Sequence, residues 1–155
     1  MIRVKQLLFS LLLPLGTGAV SYLLAGGERV RELYAVFSKP PFSLPGWAFP
    51  VVWTALYLLM GLSYYLFRTS VSFEEPMRRM YLMQLLLNFL WLPVFFRMQQ
   101  FGAALVIVCV LALSVLTLIL MVRRASRVSA WLLAPYLAFL LYAGYLNYGV
   151  MALSA

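Results

Sequence analysis

A chain of 155 residues that is 65% hydrophobic and 10% charged cannot coat a soluble domain, which usually carries about 25% charged residues. Its net charge of +8 comes from basic residues lying between apolar segments, a distribution that fits membrane orientation and excludes a nucleic-acid partner. With no His, no Asp and a single cysteine, Cys109, there is no zinc or other metal site, no His-ligated haem, no Ser-His-Asp triad and no intrachain disulfide.

Crossing the hydrocarbon core as a helix takes about 20 apolar residues. Five segments meet that length: 6–25, 47–67, 77–96, 101–122 and 129–153. No segment alternates with period two, so a β-barrel is disfavoured. The expected fold is all-α: a polytopic membrane protein made of one domain, residues 1–155, with five transmembrane helices.

The first segment follows Arg3 and Lys5 and opens "LLFSLLLPLG", as a signal peptide would. Its apolar run continues through "AVSYLLA", which is long for a cleaved leader. Residues 26–46 then form the one long connection, "GGERVRELYAVFSKPPFSLPG". Pro40, Pro41 and Pro45 stiffen it into an extended, polyproline-like run. A stiff loop loses little entropy on closing over a site. It reads either as a rigid connector or as a lid carrying Lys39, Pro40 and Pro45.

The second segment sets Trp47 at the membrane interface and places Trp53 and Tyr57 one helical turn apart, deeper in. The third, "YLMQLLLNFLWLPVFF", carries Gln84, Asn88 and Trp91 at i, i+4 and i+7, on one helical face. An unpartnered carboxamide facing lipid is costly, so this stripe must face other helices or a cavity. It serves either as interhelical hydrogen bonding, worth about 0.6–2 kcal/mol each, or as a polar handle inside an aromatic pocket. Pro93 has no N–H to give to the Phe89 carbonyl; Pro14 and Pro135 likewise free the carbonyls of Ser10 and Trp131. The fourth segment begins almost at once, so the third and fourth form a tight antiparallel pair. Cys109 within it is an apolar filler. Small residues at Gly102, Ala103 and Ala104, and at Ala134 and Ala138, permit close helix approach, and a homodimer is expected.

Arg3, Lys5, Arg68, Arg78, Arg79, Arg123, Arg124 and Arg127 fall on one side of the spans, and Arg29, Arg31, Lys39 and Arg97 on the other. The positive-inside rule puts the N-terminus in the cytoplasm, with the long loop and C-terminus outside. Glu28, Glu32, Glu74 and Glu75 all lie in loops, so no acid sits mid-membrane, which argues against an energised transporter.

Three stretches in order resemble the TspO/MBR family, the translocator proteins, tryptophan-rich sensory proteins or peripheral-type benzodiazepine receptors. They are "YAVFSKPPFSLPGWAFPVVWTALY", the run Gln84-x3-Asn88-x2-Trp91-x-Pro93-x-Phe95-Phe96, and "LLAPYLAFLLYAGYLNYG". The resemblance covers nearly the whole chain and implies that the first helix is retained. It implies a five-helix bundle that often dimerises, with a pocket capped by the first loop and no required cofactor. The implied ligands are porphyrin and haem-related tetrapyrroles, isoquinoline carboxamides and benzodiazepines, and cholesterol in mammalian members. Carried over by position, the site comprises Tyr34, Trp53, Tyr57, Asn88, Trp91 and Ala143, joined by Gln84, Phe95, Phe139 and Leu146. Stacking falls to the aromatics, an amide hydrogen bond to Asn88, and close-contact space to Ala143.

The chain departs from the family pattern in four places. Phe139 stands where many members have Trp, so light-dependent porphyrin degradation, ascribed to some bacterial members, is disfavoured. Leu44-Pro45 replaces Pro-Pro. No basic residue follows Tyr148, so the proposed sterol pattern is broken. Ala103 replaces a fourth-helix Trp. The expected function is therefore an integral-membrane receptor or sensor for tetrapyrroles in a bacterial cell membrane. The alternatives are a porphyrin degrader, a passive carrier of amphipathic metabolites, or a subunit that only packs against partners.

Overall fold

The computed structural model describes residues 3–155; Met1 and Ile2 of the expected domain lie outside the described residues. Five long helices match the expected spans: α1 (Val4–Ala25), α3 (Ala48–Arg68), α4 (Glu75–Leu92), α5 (Phe101–Val122) and α6 (Arg127–Leu153). Each packs mainly on two others, closing a ring in the order α1, α3, α6, α5, α4 and back to α1. Polar side chains point into this ring: Gln84 is 0% exposed and Asn88 3%. Leu12, Leu86, Val106, Leu113 and Leu141 point outward, as does Cys109. That inversion of the soluble pattern is what lipid as solvent requires.

The connection 26–46 is not wholly a loop. It contains a short helix, α2 (Arg29–Val36). Gly26 and Gly27 turn the chain into it with φ of 121° and 60°, which side-chain-bearing residues rarely adopt. Its C-terminus is held by Lys39, whose Nζ donates to the carbonyls of Tyr34 at 2.6 Å and Phe37 at 3.0 Å. Eight residues are too short a run to stand out as a helix in the sequence. The proline run after α2 is also not continuously extended. Phe42 sits at φ 62°, and Ser43 Oγ closes a turn onto the Pro40 carbonyl at 2.6 Å.

Two boundaries move outward. α4 begins at Glu75 because Pro76 fits a first helical turn. α6 begins at Arg127 because the Ser126 hydroxyl accepts from the Ser129 amide at 3.1 Å. The third span ends differently from expectation: Pro93–Arg97 is a π-helical turn, with the Met98 amide reaching back to the Pro93 carbonyl at 3.0 Å. Widening the helix here accommodates the proline, which has no N–H for the regular ladder.

The Phe89 carbonyl that Pro93 leaves open receives the Ser21 hydroxyl of α1 at 2.7 Å. The proline thus creates an acceptor, and a neighbouring helix supplies its donor. Ser21→Ala should lower stability in detergent by about 1–2 kcal/mol, read as a fall in thermal transition temperature, while Ser21→Thr should retain most of it. Equal stability of Ser21→Ala and the parent would show that water or lipid satisfies that carbonyl instead. Between α3 and α6, Ser63 and Ser129 donate to each other's carbonyls at 2.9 and 2.8 Å.

The ring is filled unevenly. Towards the end bearing Arg68, Arg78 and Arg124, it is packed solid around Met60, Phe67, Leu118 and Leu133, with Tyr64 and Tyr81 stacked at 4.3 Å. Towards the α2 end the helices part around a cavity.

Candidate functional site

The cavity has a volume of about 610 Å³ and is walled by α1, α2, α3, α4, the π turn and α6. That lies inside the range of about 300–1,000 Å³ for small-molecule sites. Trp53 stands at its centre, with ring-centre distances of 6.1 Å to Trp91, 5.6 Å to Tyr57 and 5.4 Å to Phe139. Its ring lines the cavity.

Below Trp53 the amides form a directed chain across three helices. Tyr57 donates to Asn88 Oδ1 at 2.8 Å, Asn88 Nδ2 donates to the Tyr136 hydroxyl at 2.9 Å, and Tyr136 donates to Gln84 Oε1 at 2.9 Å. Beside it, Trp91 Nε1 donates to Asn147 Oδ1 at 3.1 Å, and Asn147 Nδ2 to the Phe101 carbonyl at 2.8 Å. Both readings of the Gln84–Asn88–Trp91 stripe therefore meet. The amides bind helix to helix, and Asn88 still faces the cavity, where an amide has more hydrogen-bonding capacity than these two bonds use. The Tyr57 ring fits because it lies over Gly18 of α1. A Cβ there would fall 2.2 Å from Tyr57 Cε2.

The loop after α2 seats on α6. Pro40 presses against Gly149, where an added Cβ would lie 2.3 Å from its Cγ. The Tyr142 hydroxyl donates to the Phe42 carbonyl at 2.8 Å and accepts from the Leu44 amide at 3.0 Å; Tyr145 donates to the Pro41 carbonyl at 2.8 Å. These three backbone ties are why the proline run turns rather than extending. Tyr34 is buried beneath it, donating to the Leu44 carbonyl at 2.6 Å and lying edge-on to Phe49 at 4.9 Å. Burial raises its phenol pKa above the ordinary value, reinforced by the Tyr142 hydroxyl and partly opposed by Ser43. It therefore remains a donor at neutral pH.

Of the residues expected from sequence, Tyr34, Lys39, Trp53, Tyr57, Asn88, Trp91, Phe95, Ala143 and Leu146 all line this one cavity. Gln84, Phe139, Pro40 and Pro45 do not. Gln84 is the inner end of the amide chain. Phe139 backs Trp53 edge-on. Pro40 fastens the loop, and the Pro45 carbonyl accepts from the Ala48 amide at the start of α3. Lys39 is a lining residue whose ammonium is spent on α2 carbonyls. Sequence reasoning missed Gly18, Tyr22, Arg31, Phe49 and Asn147 as lining residues. Asn147 had a signal, an amide within an apolar span; Arg31 in a connection had none.

The model of the TspO/MBR family matches residues 10–153 of this chain. A tryptophan-rich protein TspO of Archaeoglobus fulgidus is 34% identical over 155 residues, covering 99% of each chain. The translocator protein of Bos taurus is 37% identical over 145 residues, 90% of this chain and 84% of its own. A tryptophan-rich sensory protein of Cereibacter sphaeroides is 33% identical over 123 residues, 79% of this chain and 77% of its own.

Proposed function

The chain belongs to the TspO/MBR family, and from that premise we propose that it is an integral-membrane receptor for porphyrin and haem-related tetrapyrroles and other flat, largely apolar ligands. The ligand lies in the cavity under the first loop, and its occupancy regulates tetrapyrrole level or passage. The observation that carries this reading is the convergence of Trp53 and Tyr57 from α3, Trp91 from α4 and Phe95 from the π turn on one void, with Asn88 beside them. Aromatic faces bind a flat conjugated body by stacking, and a few fixed polar groups set its orientation. We place the N-terminus in the cytoplasm and the loop outside, following the Lys and Arg distribution. The receptor acts as a homodimer. Gly102, Ala103 and Ala138 are exposed on the bundle surface, whereas Ala104 is used up inside it.

Protoporphyrin IX should quench the intrinsic fluorescence of the purified protein saturably. Trp53→Ala and Asn88→Ala should each weaken binding by about tenfold, the scale of a buried anchor lost from a site. Trp131 on α6 is 76% exposed and lines no part of the cavity, so Trp131→Ala should leave affinity unchanged. Equal losses at all three positions would mean that the porphyrin merely partitions into the micelle.

A further inference from the structure

The cavity has an electrostatic polarity that narrows its ligand class. The inference rests on the reading that this cavity is the ligand site. Its side-chain amide acceptors are already engaged: Asn88 Oδ1 by Tyr57, Asn147 Oδ1 by Trp91. The cation at its mouth is not. Arg31 lines the mouth from α2, and its guanidinium makes no hydrogen bond or ion pair with any described residue, although Glu28 and Glu32 lie within the same turn of chain. No glutamate lines the cavity. Lys39 does not compete for a ligand, since its ammonium protons are bound to carbonyls at the end of α2.

We propose that Arg31 is the specificity-determining residue of the cavity and selects ligands that carry a carboxylate at the edge of a flat apolar body. The body lies against the aromatic wall formed by Trp53 and Trp91 while the acid group reaches out to the mouth. The guanidinium fork matches two carboxylate oxygens, so the pairing is directional as well as electrostatic. An unpaired cation in a lining that holds no glutamate makes a neutral ligand indifferent to this end of the site, and a cationic one unwelcome.

The test separates this from the tetrapyrrole assignment by using two ligand pairs: 1-pyrenebutyric acid with its methyl ester, and protoporphyrin IX with its dimethyl ester. Each is titrated by fluorescence against the parent protein, Arg31→Gln and Arg29→Gln. Arg29 is a like charge two residues away that does not line the cavity. Arg31→Gln should weaken both acids by about tenfold and both esters by less than about twofold, with Arg29→Gln unchanged throughout. The Arg31-dependent part should shrink as salt rises, because the pair forms at an exposed mouth. Equal losses for acid and ester, an equal effect of Arg29→Gln, or no effect of Arg31→Gln would each overturn the proposal. Arg31-dependent binding of pyrenebutyrate without saturable binding of protoporphyrin IX would sink the tetrapyrrole reading and leave this one standing. Protoporphyrin IX bound equally by parent and Arg31→Gln would do the reverse. No saturable binding of either acid by the parent protein would overturn both.

Discussion

Gly61→Ala should destabilise the bundle more than any other single methyl group added to it. The added Cβ would lie 2.6 Å from the Ser10 carbonyl oxygen and 2.7 Å from Leu11 Cα. Both are backbone atoms of α1, so no side chain can rotate away; the two helices must separate. Ser10 is also where Pro14 removes the regular amide partner, so its carbonyl tilts free on the side where α3 approaches. Overpacking a fitted interface costs about 1–3 kcal/mol, and this site belongs at the upper end because only rigid groups are involved. For a chain of this size, about 3 kcal/mol corresponds to a fall of roughly 6–12 °C in the thermal transition in detergent. Gly16→Ala on α1 is the control: nothing lies within 4 Å of its added Cβ, and alanine is the better helix former. Its transition should stay level or rise. Equal behaviour of the two variants would show that α1 and α3 do not touch through Gly61.

Gly149→Ala should loosen the loop while leaving the bundle folded. Pro40 occupies the space its Cβ would take, at 2.3 to 2.7 Å from three ring atoms. A proline ring on a constrained loop cannot yield by rotation, so the segment must lift. Lifting stretches the Tyr142 and Tyr145 ties to Pro41, Phe42 and Leu44 together, since all sit on the same stretch of chain. The Leu44 amide reports this directly because its only described partner is the Tyr142 hydroxyl. Its hydrogen exchange should accelerate by about tenfold or more, the equivalent of about 1.4 kcal/mol lost from local closing. Amides in the middle of α5, remote from the loop, should keep their rates. Bound protoporphyrin IX should dissociate faster by a similar factor. Unchanged exchange at Leu44 would show that Pro40 does not hold the loop on α6.

Some contacts of the site can be anticipated from residue spacing. Gln84, Asn88 and Trp91 share a face because 3.6 residues complete a turn, and an amide in an apolar span must find a partner. The identity of those partners could not be read: Tyr57, Tyr136 and Asn147 come from helices far along the chain. Gln84 and Asn88 look equivalent in sequence, yet Asn88 meets the cavity and Gln84 closes the far end of the chain of hydroxyls and amides. One helical turn separates a lining residue from a buried link. The glycines were harder still. Gly18, Gly61 and Gly149 read as ordinary interruptions in apolar runs, but each marks a place where another chain segment fills the space of a missing Cβ.

The sequence alone determines that the chain is a bundle of five membrane-crossing helices, because in lipid a backbone must satisfy its own hydrogen bonds and run length then sets each span. It also determines which polar groups must turn inward, since the cost of exposing them to lipid is local to each residue. The tertiary structure alone decides that the ring is solid at the basic end and hollow under α2, that Arg31 faces the hollow, and that Lys39 is spent on a helix end. These depend on how helices distant in the chain close around one another, and shape complementarity between distant segments leaves no periodic trace in either segment.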